Sequence, residues 1–143
     1  MRPDWERAVR HDDVGTLARL LEEGADIDAR DAHGQTGVMI AVSSGATGAV
    51  AFLAERGAAL DHTAKYRLSA LMLAVIRNEA AIVRVLVTAG ADLSLRGSGA
   101  PGFHGKTALD LAEAAGRTEI VAILRAAGRG AKPSSGPGPG DAL

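Results

Sequence analysis

Cysteine is absent from the 143-residue chain, which excludes disulfide staples and thiol nucleophiles while leaving the compartment open. Aromatic residues are scarce, with one Trp, one Tyr and two Phe, and neither sign of charge dominates: the formal net charge is -1 and the isoelectric point about 6.4. A nucleic-acid binder calls for a basic domain with interleaved aromatics, so that class is disfavoured. No apolar run approaches the roughly 18 residues that a membrane-spanning helix needs. The first helix is expected to begin almost at Met1, which leaves no room for a charged-then-apolar leader. One cytoplasmic domain without a membrane partner is the expectation.

What the chain has instead is a period. Gly24-Ala25-Asp26-Ile27, Gly57-Ala58-Ala59-Leu60 and Gly90-Ala91-Asp92-Leu93 end three successive segments, and their glycines stand 33 residues apart (57 − 24 and 90 − 57). Gly128 follows at 128 − 90 = 38, one more period carrying a five-residue insertion. Thr36 and Ser69, Ala41 and Ala74, Gly45 and Asn78, Val50 and Val83, and Leu53 and Leu86 keep this register. Thr107, Ala112, Gly116, Val121 and Leu124 continue it after the insertion.

Local chemistry gives each unit two helices. Thr36, Ser69 and Thr107 carry the hydroxyl that accepts a hydrogen bond from the free amides of a helix start. Gly45, Asn78 and Gly116 tolerate the left-handed backbone that lets the first helix stop and the chain reverse. Second helices then show apolar residues at helical spacing: Val50, Leu53 and Ala54; Ile82, Val83, Leu86 and Val87; Ile120, Val121, Ile123 and Leu124. Gly24, Gly57, Gly90 and Gly128 are expected to end them. The first unit is predicted as a helix from Pro3 or Asp4 to Arg10, a break at His11 to Asp13 and a helix from Val14 to Glu23.

With this period and a Thr-x-Leu-x-x-Ala helix start, the stretch from Asp4 to Gly128 resembles the ankyrin repeat family. The resemblance implies an all-α repeat solenoid of stacked helix-turn-helix units with short β-hairpin fingers. Its units fall near 1–30, 31–63, 64–96 and 97–128, with the insertion near 97–104. The usual Thr-Pro-Leu-His start is replaced by Thr36-Gly37-Val38-Met39, Ser69-Ala70-Leu71-Met72 and Thr107-Ala108-Leu109-Asp110. Gly37 costs roughly 1 kcal/mol relative to Ala in a helix interior, and less at its end, which makes the second repeat the loosest by expectation. Trp5 falls where Val38, Leu71 and Leu109 fall in later units, so it reads as a core anchor in preference to a ligand-stacking ring. Thr107 to Ala112 resembles the variant that closes such arrays, with Glu113, Arg117, Glu119 and Arg125 available for a polar outer face.

Motifs of catalysis are weak. Gly97 to Gly102 satisfies G-x-G-x-x-G, and Ala100 to Thr107 satisfies a relaxed phosphate-loop pattern, but no strand feeds either, and Gly105-Lys106-Thr107 aligns with the repeat turn Gly34-Gln35-Thr36. His11, His33, His62 and His104 lie in different repeats and form no metal-type pair. No enzyme activity, cofactor or metal is expected.

Surface positions carry the remaining signal. In ankyrin arrays the fingers and first helices line one concave face, and partners contact residues around the turn glycine and at the ends of the first helices. Carried onto this sequence, the partner-binding positions are Arg30, His33, Gln35, Lys65, Tyr66, Leu68, Arg77, Arg96, Phe103, His104 and Lys106, with Arg10, His11, Ala32, Ser43, Ser44, Thr63 and Ile76 beside them. None is acidic, whereas Glu22, Glu23, Glu55, Glu79 and Glu119 fall on the outer side. The resemblance thus implies a monomeric, non-catalytic module binding a partner protein with an acidic or acceptor-rich surface. A ligand or nucleic-acid binder using the same basic face is the alternative, and a merely solvated face is the plainest reading. Tyr66, Leu68 and Phe103 would supply apolar anchors.

Two segments stand apart. The insertion either projects its finger to grip a partner or folds Phe103 back onto the third repeat as a satellite core. Residues 129–143, rich in Gly, Pro and Ser, read as a disordered linker or solvated end, in preference to a docking segment, for want of P-x-x-P spacing.

Overall fold

The side chains that start and stop helices set the architecture. The computed structural model describes residues 1–130. Among them are α1 (Pro3–Arg10), α2 (Val14–Glu22), α3 (Gly37–Ser43), α4 (Thr47–Glu55), α5 (Ala70–Ile76), α6 (Ala80–Thr88), α7 (Ala108–Ala115) and α8 (Thr118–Gly130), with a single 3-10 turn at Lys65–Arg67. The hydroxyls of Thr36, Ser69 and Thr107 accept the N–H of Met39, Met72 and Asp110, capping α3, α5 and α7. At α7 the Asp110 carboxylate also accepts the Thr107 N–H, completing a capping box. Asp13 caps α2 through Thr16, and Pro3 at the start of α1 occupies a position where no N–H is needed.

The turns within each pair are left-handed where the period demands it. Gly45, Asn78 and Gly116 have φ of 69°, 57° and 71°, and Asp12 occupies the equivalent place in the first unit with φ 58°. The Asp12 carboxylate does a second job: its Oδ1 accepts the Ala49 N–H at 2.6 Å, capping α4 of the following unit, whose own N-cap residue is Ala46. Asp28 and Asp61, one period apart, likewise accept the N–H of Ala59 and Asp92 in the next unit.

First helices α1, α3, α5 and α7 pack side by side in one layer, and α2, α4, α6 and α8 in the other. A continuous core runs between the layers. Trp5, Val9, Leu17, Leu20, Leu53, Leu71, Ile82, Leu86 and Ile120 are all buried in it, so each interface between units is apolar, as a one-dimensional stack requires. Exposed ion pairs join α6 to α8 through Arg84 and Glu119, and α7 to α8 through Glu113 and Arg125.

Two expectations need correction. The β-hairpin fingers are not formed as strands: among the described residues only isolated bridges occur, joining Arg30 to Thr36, Thr63 to Ser69 and Gly97 to His104. In the first finger the Asp31 Oδ1 accepts both the His33 and the Gln35 N–H, so a side chain takes donors that a ladder would use. The final helix also does not stop at Gly128. It runs on to Gly130, because Gly128 keeps a helical backbone while Gly24, Gly57 and Gly90 turn with φ of 99°, 84° and 94°. Of the tail read at 129–143, residues 131–143 lie outside the described residues.

The second finger differs from the first. Arg67 stands where the period puts Gly34 and Gly105, and Ala64 where it puts Asp31. Without either device, Tyr66 and Arg67 take consecutive left-handed angles, φ 61° and 55°. Such a conformation costs a non-glycine residue roughly 1–2 kcal/mol. Arg67→Gly is therefore expected to raise unfolding stability by about 1 kcal/mol in a denaturant titration, and a loss of similar size would show that the Arg67 side chain contributes more than its backbone costs.

Acid should loosen the helix caps at Asp13 and Asp110 and the local contacts of Asp4 and Asp92. Hydrogen bonds hold four carboxyls below their ordinary value of 3.8: Asp4 through the Arg2 guanidinium, Asp13 through the Thr16 hydroxyl, Asp92 through the Ser94 hydroxyl and Asp110 through the Thr107 N–H. A depressed pKa in the folded state means that the native form holds its protons less tightly, so these groups contribute stability above the unfolded value and lose it as pH falls through the folded values. The urea midpoint should stay level from about pH 7 to about pH 5 and fall below about pH 4. A midpoint unchanged down to about pH 2 would contradict a role for these hydrogen-bonded carboxylates.

Candidate functional site

The face made by the fingers and the first helices holds an open groove of about 460 Å³, lined by His33, Gln35, Ala64, Lys65, Tyr66, Leu68, Leu73, Ile76 and Phe103. Six of these were named from sequence as partner-binding positions, and the fold brings them together from two fingers and the insertion. Its floor is apolar. Tyr66 and Ile76, at 37% and 36% exposure, are the exposed large hydrophobic residues of the described chain, and both line this groove.

Leu68 corrects the expectation of an exposed anchor: only 7% of it is accessible, and it belongs to the core. It directly precedes the Ser69 cap, with Leu73 four residues beyond that cap, the two positions of a hydrophobic staple that draws the entering chain onto its helix. Leu68 and Leu73 therefore supply the groove's floor, and Tyr66, Ile76 and Phe103 its accessible apolar surface. Sequence reasoning passed over Ala64 and Leu73; the staple pattern was the signal for the latter.

Positive groups divide into committed and free. The Arg30 Nη1 donates to the carbonyls of Gly34 and Thr63, each at 3.3 Å, tying the first finger to the second. The Arg96 Nη1 donates to the Gly105 carbonyl at 2.6 Å, closing the last finger. Asp110, held below its usual value first by the Thr107 N–H, is lowered further by the nearby charges of Arg96 and Lys106, so part of that end's positive field is compensated. Lys65, Arg67 and Arg77 form no ion pair among the described residues. Lys65 lies over the Tyr66 ring, with Nζ 5.0 Å from the ring centre. Lys106 and His104 are exposed at the last finger and lie outside the groove.

The insertion folds back. The Ser98 N–H donates to the Tyr66 carbonyl at 2.8 Å, and the Phe103 and Tyr66 rings stand 5.5 Å apart at 43°. Phosphate-loop geometry is not what the residues adopt: no strand precedes Gly97, and the Thr107 hydroxyl is committed to the α7 cap. Among the described residues, no group of three or more His, Asp or Glu could hold a metal, and no helix is long and apolar enough to cross a membrane.

A family model described as ankyrin repeats, in three copies, matches residues 5–97. The match ends where the insertion begins, and α7 and α8 repeat the capped pair beyond it. A search of curated proteins finds no match. Ankyrin repeats are in general modules of protein–protein interaction, and proteins built from them are typically non-catalytic. Helix pairs at the observed period, their two-layer stacking and the family match all agree, and the chain belongs to the ankyrin repeat family.

Proposed function

We propose that the chain is a non-catalytic interaction module that binds a partner protein of acidic or acceptor-rich surface through its fingers and first helices. The observation carrying this reading is the groove in which Tyr66 and Ile76 are exposed, with Lys65 on its lining and Arg77 adjoining Ile76, neither charge paired among the described residues. Apolar centres rimmed by free charge are what interfaces use: the centre supplies affinity, and the rim chooses the partner's sign and speeds encounter. Arg30 and Arg96, though tied to carbonyls, keep their full charge and extend the same positive face, with His33, Gln35, His104 and Lys106 as polar contacts. A monomer in the cytoplasm is part of the same reading.

Reversing Lys65 and Arg77 together to Glu is expected to slow association with a partner captured from cell extract by an order of magnitude or more, at nearly unchanged stability, because exposed charges act mainly on the on-rate. The comparison is Glu22→Lys with Glu55→Lys on the outer side, which should have a much smaller effect. Equal association by the two double variants would refute the assignment of this face.

A further inference from the structure

The insertion at 97–104 does more than lengthen a finger. Its Ser98 N–H holds the Tyr66 carbonyl at 2.8 Å, and Gly99 sits so close to the Tyr66 ring that a Cβ there would come within 3.2 Å of Cδ1. Phe103 packs against the same residue, its ring 5.5 Å from that of Tyr66. These contacts stand the Tyr66 ring up as one wall of the groove, with Ile76 and Leu73 of α5 along its length and Gln35 and His33 at the neighbouring finger. Tyr66 holds this place with a left-handed backbone, φ 61°, that a bulky residue seldom adopts. Strained residues persist where the surroundings over-determine them, and they gather at binding sites.

The lining has a sign as well as a shape. No carboxylate contributes to it, and its one fully charged member is Lys65. Asp31, in the same finger as His33 and Gln35, is engaged with the backbone of its own turn. The side chain of Gln35 makes no hydrogen bond among the described residues and is available to a peptide backbone. A volume of about 460 Å³ is in the range that holds one or a few side chains, and the groove is open to an approaching chain.

We infer that the insertion and the left-handed Tyr66 turn together build an anchor pocket for one bulky apolar side chain of an acidic peptide segment of the partner. This rests on the reading of the finger-and-first-helix face as the interaction surface. The partner's apolar side chain enters between Tyr66, Phe103 and Ile76, its flanking Asp or Glu residues meet Lys65 and Arg77, and its backbone meets Gln35. The repeats without an insertion have no second ring to close such a pocket.

A library of random twelve-residue peptides displayed on phage, panned against the whole chain, tests this directly. Enriched sequences should share a Leu, Phe or other large apolar residue flanked by Asp or Glu. Synthesised with a fluorophore, they should bind at least tenfold more weakly when that apolar residue is changed to Ser. Tyr66→Gly is the discriminating variant, because it deletes the ring at a position whose backbone suits glycine and so keeps the turn. It should fold, as judged by an unchanged or raised melting temperature, yet bind the peptides at least tenfold more weakly; Ile76→Glu, on the exposed end of α5, should do the same. Failure to enrich acidic peptides overturns the inference, as does enrichment of neutral or basic ones. If acidic peptides bind Tyr66→Gly and Ile76→Glu as tightly as the parent but are lost on reversing Lys65 and Arg77, the interaction face stands and the anchor pocket falls.

Discussion

Leu86→Ala lowers the stability of the array by about 2 to 5 kcal/mol, and Leu53→Ala does so by a similar amount. Both side chains are fully buried, on α6 and α4 respectively, in second helices that pack against a neighbour on each side. Truncation removes the apolar area and leaves a cavity that two flanking helices cannot both collapse to fill. In a linear stack each unit is held only by its neighbours, so a weakened internal interface is not offset from elsewhere. Urea titration of the two variants gives the values directly. Losses below about 1 kcal/mol at both sites would mean that the 33-residue register does not define the core.

Trp5→Ala should be at least as damaging, about 3 to 5 kcal/mol, and it should change the sign of a second substitution. The indole is 1% exposed, and its Nε1 lies 3.0 Å from where a Cβ on Gly37 would stand, with Val9 and Leu53 close behind. Replacing a helical Gly by Ala ordinarily gains up to about 1 kcal/mol. Here the added methyl meets a ring that the surrounding core holds fixed, so Gly37→Ala is expected to destabilise the parent. In the Trp5→Ala background the same change fills vacated space and should stabilise. A double-mutant cycle measures this coupling, expected at about 1 kcal/mol or more; additive effects would show that the indole does not dictate the glycine.

That pair shows where sequence reading succeeds and where it stops. The period and the helix ends were legible because they depend on local chemistry: Thr36, Ser69 and Thr107 cap helices wherever the chain places them, and Gly45, Asn78 and Gly116 turn it. Gly37 read as a weak helix start because its reason lies in another unit, where Trp5 occupies the space. Asp12 capping α4 was beyond reach for the same cause, since donor and acceptor are 37 residues apart and match no period.

The surface divides along the same line. Exposed cations follow from the register, so Lys65 and Arg77 were found. Their partners do not, and the commitment of Arg30 and Arg96 to finger carbonyls shows only in three dimensions. Leu68 was misplaced by carrying the family's finger positions onto it, where the staple pattern with Leu73 decides its direction. Arg67 was missed although the register itself marks it, as the one finger in which a bulky residue replaces the turn glycine. For the insertion, sequence left two outcomes open; the contact with Tyr66 shows Phe103 folded back onto the third repeat, where its ring also lines the groove.

The central functional claim is that free positive charge on the finger-and-first-helix face recruits the partner. The measurement that tests it most directly is the association rate with the captured partner as a function of ionic strength, for the parent and for the Lys65→Glu, Arg77→Glu variant. Charges acting over the roughly 8 to 10 Å screening length of physiological buffer should give a parent rate that falls steeply as salt rises from low to physiological strength. The reversed variant should start slower by an order of magnitude or more and lose or invert that dependence. A parent rate indifferent to salt, or a variant that follows the parent's curve, would contradict the account.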